Sequence, residues 1–190
     1  MFQANSADLE FLFNEAGQKV LINDVERISV ITNPPLNEYE ERHIHTLETV
    51  SQGDMVSLDN EKYLVITESI SKRGEKYKAL MRHCNVMIEL PGEEVCEKVA
   101  ENDFGEPIFE CTTGDPVYVP SIVDNKSFSV DDSAAIRVPD NQIIVVVKDN
   151  ALNRDKFQVN NTFTFEGSYK VVHRDFTKKG LMILTCEMSV

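Results

Sequence analysis

The stretch from Val50 to Cys84 comes back, in outline, between Val159 and Cys186. Each copy leaves a valine through polar residues and enters a short alternating strand, Met55 to Leu58 in one and Thr162 to Phe165 in the other. A turn through acidic residues with Asn or Gly leads to a strand headed by tyrosine, Tyr63-Leu64-Val65-Ile66 against Tyr169-Lys170-Val171-Val172. A polar loop with Lys and Gly follows, Lys72-Arg73-Gly74 against Lys178-Lys179-Gly180, and an apolar strand then runs to a cysteine. A repeated arrangement constrains a fold more than any single residue does. Helix signals are scarce, and Gly, Pro, Asn and Asp punctuate the chain about every 8–12 residues, the rhythm of small barrels and sandwiches. The expectation is a mostly β chain of two tandem small antiparallel β-barrel- or sandwich-like domains with little helix. Pro91-Gly92 sets the expected boundary, giving domains 1–92 and 93–190, the second a diverged repeat of the first.

Along the chain, residues 1–13 read as a short strand or helix around Leu9, Phe11, Leu12 and Phe13. A turn at Gly17 feeds a strand through Val20 and Ile22. Its Asn-acid-x-Gly pattern is echoed by Asn102-Asp103-Phe104-Gly105 ahead of Ile108, so the pattern is expected to open each half. Val25–Thr32 is β-branched and reads as a strand, which Pro34 and Pro35 end. Arg42–Val50 alternates as a strand, Glu93–Glu101 reads as a helical turn or linker, and further strands are expected near 108–111, 117–119, 127–130 and 134–138. Gln142–Lys148 carries five consecutive β-branched residues. Such a run predicts a central strand covered on both faces by a partner sheet or subunit. Asp149–Arg154 reads as a polar loop.

Composition narrows the chemistry. A formal net charge of -13 argues against binding driven by nucleic-acid phosphates or by an anionic membrane. No run of 18 apolar residues is present, and MFQANSADLE has neither a basic region nor an apolar core, so neither a membrane span nor a signal peptide is expected. Cys84, Cys96, Cys111 and Cys186 form no CxxC pair and are expected to be reduced, as in cytoplasm. His43 and His45 share a strand face, as metal ligands sometimes do, but no carboxylate or thiolate set completes the site, so no metal is expected. His173-Arg174-Asp175 stands without the other parts of a kinase signature. With no GxSxG, phosphate loop or dinucleotide fingerprint, the expectation is a non-enzyme with no catalytic residues and no cofactor. Two basic islands remain, Ser69–Lys76 and Arg174–Lys179, at matching places in the two copies. Charged hairpin tips keep a surface soluble. As contact sites, Lys72, Arg73, Lys178 and Lys179 are instead the interface candidates.

Ile136-Arg137-Val138-Pro139-Asp140-Asn141, the run Phe163 to Val172, Asp175, and Gly180 to Leu184 resemble segments of tailed-phage virion proteins. In the first half, the Gly17 turn, Gly53-Asp54-Met55-Val56 and Tyr63-Leu64-Val65 fit the same pattern, in which a Gly-Asp pair introduces one strand and a Tyr-x-Val carries the next. The chain thus resembles the small β-barrel head-closure (stopper) or head–tail connector proteins of long-tailed phages. That resemblance implies a homo-oligomeric ring in the neck of the virion, assembled in the host cytoplasm. It would seal the filled head against a portal or adaptor protein and dock tail proteins, with DNA as passing cargo and no membrane partner. It also implies a lumen-facing loop, for which Asn33, Pro34, Pro35, Leu36 and Asn37 are the first candidates and Asp149 to Asp155 the second. A tail tube, terminator or baseplate component and a cytoplasmic two-domain protein-binding module are the alternatives.

Overall fold

The computed structural model describes residues 6–36, 38–72, 76–102, 104–125 and 141–189. Two closed six-stranded antiparallel barrels follow one another along the chain. The first contains β1 (Gln18–Ile22), β2 (Val25–Thr32), β3 (Glu41–Thr46), β4 (Met55–Leu58), β5 (Glu61–Val65) and β7 (Lys76–His83). They run in the order β3-β2-β1-β4-β5-β7, and pairing of β3 with β7 closes the ring, while β6 (Ile70–Lys72) hangs on β7. The second contains β8 (Val86–Leu90), β11 (Val117–Asp124), β12 (Gln142–Lys148), β13 (Thr162–Thr164), β14 (Ser168–Asp175) and β15 (Leu181–Met188). Its cyclic order is β12-β11-β8-β13-β14-β15. The two rings therefore correspond strand for strand. The repeat read from the sequence is the shared unit, β4-β5-β7 in one barrel and β13-β14-β15 in the other.

Local chemistry explains the tight corners. Asn23-Asp24 joins β1 to β2 and Asp59-Asn60 joins β4 to β5, all four residues with φ between 49° and 68°. Two-residue loops with both residues left-handed match the twist of paired strands, and Asn and Asp tolerate that conformation best. Asp54 then braces the corner before β4. Its carboxylate accepts from the Ser51 amide at 2.7 Å and from Asn23 Nδ2 at 2.7 Å.

Each barrel has its own interior. Val20, Ile22, Ile44, Val56, Val65 and Met81 fill the first, and Ile88, Val145, Phe157, Val171, Met182 and Leu184 the second. A third cluster lies between them, where Leu64, Ile66 and Cys84 of the first barrel meet Ile122, Ile144, Val146 and Leu181 of the second. β12 serves two cores at once: Ile143, Val145 and Val147 point into its own barrel, while Ile144 and Val146 point into the seam. The β-branched run is thus covered on both faces, and the first barrel supplies the outer cover.

Several expectations change. β8 pairs with β11 and β13, so the second barrel begins by Val86 and the boundary moves from Pro91-Gly92 to the Cys84-Asn85 link. The topological counterpart of β1 is β8. The Asn102–Gly105 echo of the Gly17 turn sits instead in an inserted hairpin, β9 (Glu94–Glu101) and β10 (Pro107–Thr113). This hairpin stands where the first barrel has only its Asn23-Asp24 turn. The stretch expected as a helical turn or linker, Glu93–Glu101, is therefore strand from Glu94 onward. Cys96 and Cys111 face each other across the hairpin and form a disulfide, which corrects the expectation of four reduced thiols; Cys84 and Cys186 are free and buried. Residues 6–16 form the helix α1 (Ser6–Ala16), with Phe13 buried. Asp149–Arg154 is not loop: Asn150 caps the helix α2 (Ala151–Lys156), its side chain accepting from the Asn153 amide at 2.7 Å. The expected strands at 127–130 and 134–138 lie outside the described residues.

Candidate assembly surfaces

The seam between the barrels is built on two glycines. A Cβ on Gly53 would lie 2.0 Å from the Gly180 carbonyl oxygen, and one on Gly180 would lie 2.1 Å from the Gln52 oxygen. Both have φ near +80 to +90°, a region that glycine enters without strain. Two backbones thus touch where the two halves of the repeat meet. Asn85 splices the link to β11, donating to the Val123 oxygen at 2.9 Å and accepting from the Val123 amide at 2.8 Å. Lys148 reaches across to Asn23 Oδ1 at 2.6 Å.

A polar rim surrounds the apolar seam. Arg82 and Glu41 oppose each other on β7 and β3 and are both buried, with Arg82 Nε 2.8 Å from Glu41 Oε1. The Tyr39 ring lies 3.8 Å from the Arg82 guanidinium carbon. Tyr63 donates to Glu40 at 2.7 Å, and burial followed by this bond pushes its phenol up to about 12. Burial, then the bond to Asp124, pushes the Tyr39 phenol up further. A cleft of about 270 Å³ opens here, lined in part by Tyr39, Arg82, His83, Asn85 and Asp124. The Arg82–Glu41 and Tyr63–Glu40 pairs lie within the first barrel, and the Tyr39 bond to Asp124 ties that rim to the second. Burial also pushes the Cys84 and Cys186 thiols up to about 12, which leaves them poor nucleophiles.

The residues singled out from sequence fall in different settings. Lys72 ends β6, and Arg73 lies outside the described residues. Lys179 is exposed, whereas Lys178 is half-buried at the seam, where burial and then the Arg82 charge lower its pKa. The loop that holds Lys178 therefore packs on the first barrel, because Gly180 beside it meets Gly53. Asn33, Pro35 and Leu36 form an exposed connection from β2 towards β3 with Pro34 partly covered, and Asn37 lies outside the described residues. The second loop candidate, Asp149 to Asp155, is mostly α2. His43 and His45 do share a face of β3. Their Nδ1 atoms are buried without a hydrogen-bond partner, and His45 Nε2 meets Thr32 Oγ1 at 3.1 Å. Burial, then Lys76 and Lys78, push His45 down to about 4. Those lysines would oppose a bound cation equally. Among the described residues one group has metal-ligand spacing, Glu94 with Cys96 and Cys111, and its thiols are spent in the disulfide.

The surface that sequence reasoning missed is the β9–β10 hairpin. Every residue of both strands is exposed, so among the described residues neither face of the hairpin is covered. Between Glu93 and Asp115 it carries eight acidic residues and one lysine, a net of -7 out of the chain's -13. The two cysteines, 15 residues apart, were the available signal.

These features define a two-barrel protein with a fixed seam and a projecting acidic arm. The chain belongs to the YomX family: residues 1–83 match the YomX N-terminal domain and residues 87–187 the YomX C-terminal domain. The two matches meet at the Cys84-Asn85 link. The chain is 25% identical over 166 residues to the SPbeta prophage-derived protein YomX of Bacillus subtilis (strain 168), covering 85% of this chain and 76% of that one. The family is thus phage-derived. A solved structure of MrkH, described as a c-di-GMP-dependent transcription regulatory factor, covers 96% of this chain and 81% of its own. It shares 10% identity with this chain at a TM-score of 0.21.

Proposed function

We propose that the protein is a structural component of the phage particle, a ring-forming neck protein that closes the DNA-filled head and docks the tail. The observation that carries this reading is the pair of topologically equivalent barrels, locked by a buried seam, in a chain of a phage-derived family. Small barrels joined rigidly suit a wall element that must keep its shape under load, and closed barrels present no long free strand edge to neighbours. In this reading the protein works by assembly with itself, a portal or adaptor protein and tail proteins, without a cofactor or a catalytic step. An acidic wall repels phosphates and lets DNA pass without adhesion. Lys179 and the neighbouring basic positions serve as subunit contacts.

The test is deletion of the gene from the phage, followed by electron microscopy of the lysate. The expected result is DNA-filled or leaking heads beside unattached tails. Complete virions in the mutant would refute the neck role. Tails that are themselves missing, shortened or tipless would move the protein to the tail.

A further inference from the structure

We propose that the β9–β10 arm of one copy docks on the Arg154–Phe176–Arg174 face of a second copy, making the head-to-tail contact of the assembly. This rests on the ring reading above and gives it a specific interface.

The arm has two unlike faces. Cys96–Cys111, Phe109 and the Lys98–Glu101 ion pair lie on one. Ile108, Glu97 and Glu110 lie on the other, with Val95, the partner of Thr112. Val95 and Ile108 are each about half exposed. Glu97 and Glu110 are direct cross-strand partners and both exposed. Like charges directly opposite on a ribbon destabilise it. Among the described residues no cation pairs with either. A two-stranded ribbon is marginal in water on its own. The disulfide on the far face holds this one in shape, so an apolar strip with two adjacent carboxylates is presented ready-made.

The complement lies on the second barrel. Phe176 is 42% exposed and sits between two guanidiniums, with Arg154 at 5.2 Å and Arg174 at 5.6 Å from its ring centre. Asp149 holds Arg154 in place through two hydrogen bonds, and Arg174 donates to the Arg154 carbonyl at 2.9 Å. Among the described residues Arg174 has no carboxylate in ion-pair range, and Lys179 nearby in sequence is exposed. An apolar ring flanked by cations matches an apolar strip flanked by carboxylates. The chain carries -13 overall, so copies repel at long range and a self-contact needs local complementarity of this kind. The arm does not sit on its own Arg face, since both of its faces are exposed. Contact between two different surfaces is heterologous, and repeats into a ring when the rotation closes.

The experiment uses the full-length chain, oxidised, with molar mass measured by sedimentation. The wild type is expected to assemble. Glu97→Arg with Glu110→Arg, and separately Arg174→Glu with Lys179→Glu, are each expected to weaken self-association about a hundredfold while keeping the wild-type circular dichroism. A chain carrying all four changes restores the charge match and is expected to assemble again, which a merely misfolded variant would not do. A monomeric wild type, assembly indifferent to the paired reversals, or failure of the four-fold variant to recover overturns the docking. If rings persist with reversed arms, the docking falls while the neck reading stands. If the docking holds but virions lacking the protein are complete, the neck reading falls alone.

Discussion

Gly53 and Gly180 show how single residues decide whether the two halves can meet. Both need a left-handed backbone and both lack room for a methyl group, with backbone atoms as the obstacle. Gly53→Ala is expected to destabilise the protein by about 4 kcal/mol, combining left-handed strain with a clash that no rotamer relieves. Gly105 has φ +80° but nothing within 4 Å of its missing Cβ, and it lies in a hairpin that shares no core with either barrel, so Gly105→Ala should leave the main urea transition within about 0.5 kcal/mol of wild type. Urea unfolding of the two variants checks the contrast, and equal losses would show that the seam contact contributes little. His45 supplies a pH dependence. Its folded pKa is pushed down to about 4, below its ordinary 6.5, so the folded chain binds fewer protons than the unfolded chain between those values. The associated stability is fully present above pH 6.5 and is lost as pH falls towards 4. After solvent screening the loss should be about 1–2 kcal/mol. Between pH 7 and 4.5, wild-type stability should fall by that much more than the stability of His45→Asn, as read from denaturation midpoints.

Elements differ in how visibly the sequence encodes them. β12 was legible because a β-branched run has one stable setting, a strand covered on both faces. α2 was not: ALNRDK is one and a half turns, and its helix depends on the Asn150 cap and on Asn153 bonding the Lys148 carbonyl at 2.8 Å. β9 hid because its residues alternate little and face water on both sides, so no buried stripe marks it. The basic tip at Lys178 looked equivalent to the one at Lys72, yet only packing against Gly53 makes it part of the seam. The arm's independence has a measurable consequence. It shares no core with either barrel, so reducing Cys96–Cys111 should leave the main thermal transition within about 2 °C of the oxidised value. Protease cleavage between Glu94 and Thr113 should rise at least tenfold, because the ribbon then rests on marginal hairpin pairing. A large drop in the main transition would mean that the arm is part of the folding core.

At the scale of the whole molecule, the duplication was readable but its boundary was not. Turn residues at Pro91-Gly92 suggested a break, while the true break at Cys84-Asn85 has no glycine or proline and is fixed by pairing of β8 with β11. The family matches divide the chain at the same link, which invites treating the halves as separable. The seam says otherwise. Leu64, Ile66 and Cys84 from one half and Ile122, Ile144, Val146 and Leu181 from the other are all buried in a cluster that neither barrel completes alone. Buried aliphatic side chains contribute about 1.5–3 kcal/mol each, so exposing either side of this cluster removes a large part of a marginal stability. Residues 1–84 expressed alone should therefore be largely insoluble, or soluble only as aggregates, even though their barrel is closed. Replacing Leu64, Ile66 and Leu80 by polar residues should restore a soluble fragment with a β-rich circular dichroism spectrum, because those side chains face the seam and the barrel interior is formed by others. A soluble, folded 1–84 fragment without those changes would mean that the seam is a contact between independent domains, and that the rigid double-barrel unit is not what the protein contributes to an assembly.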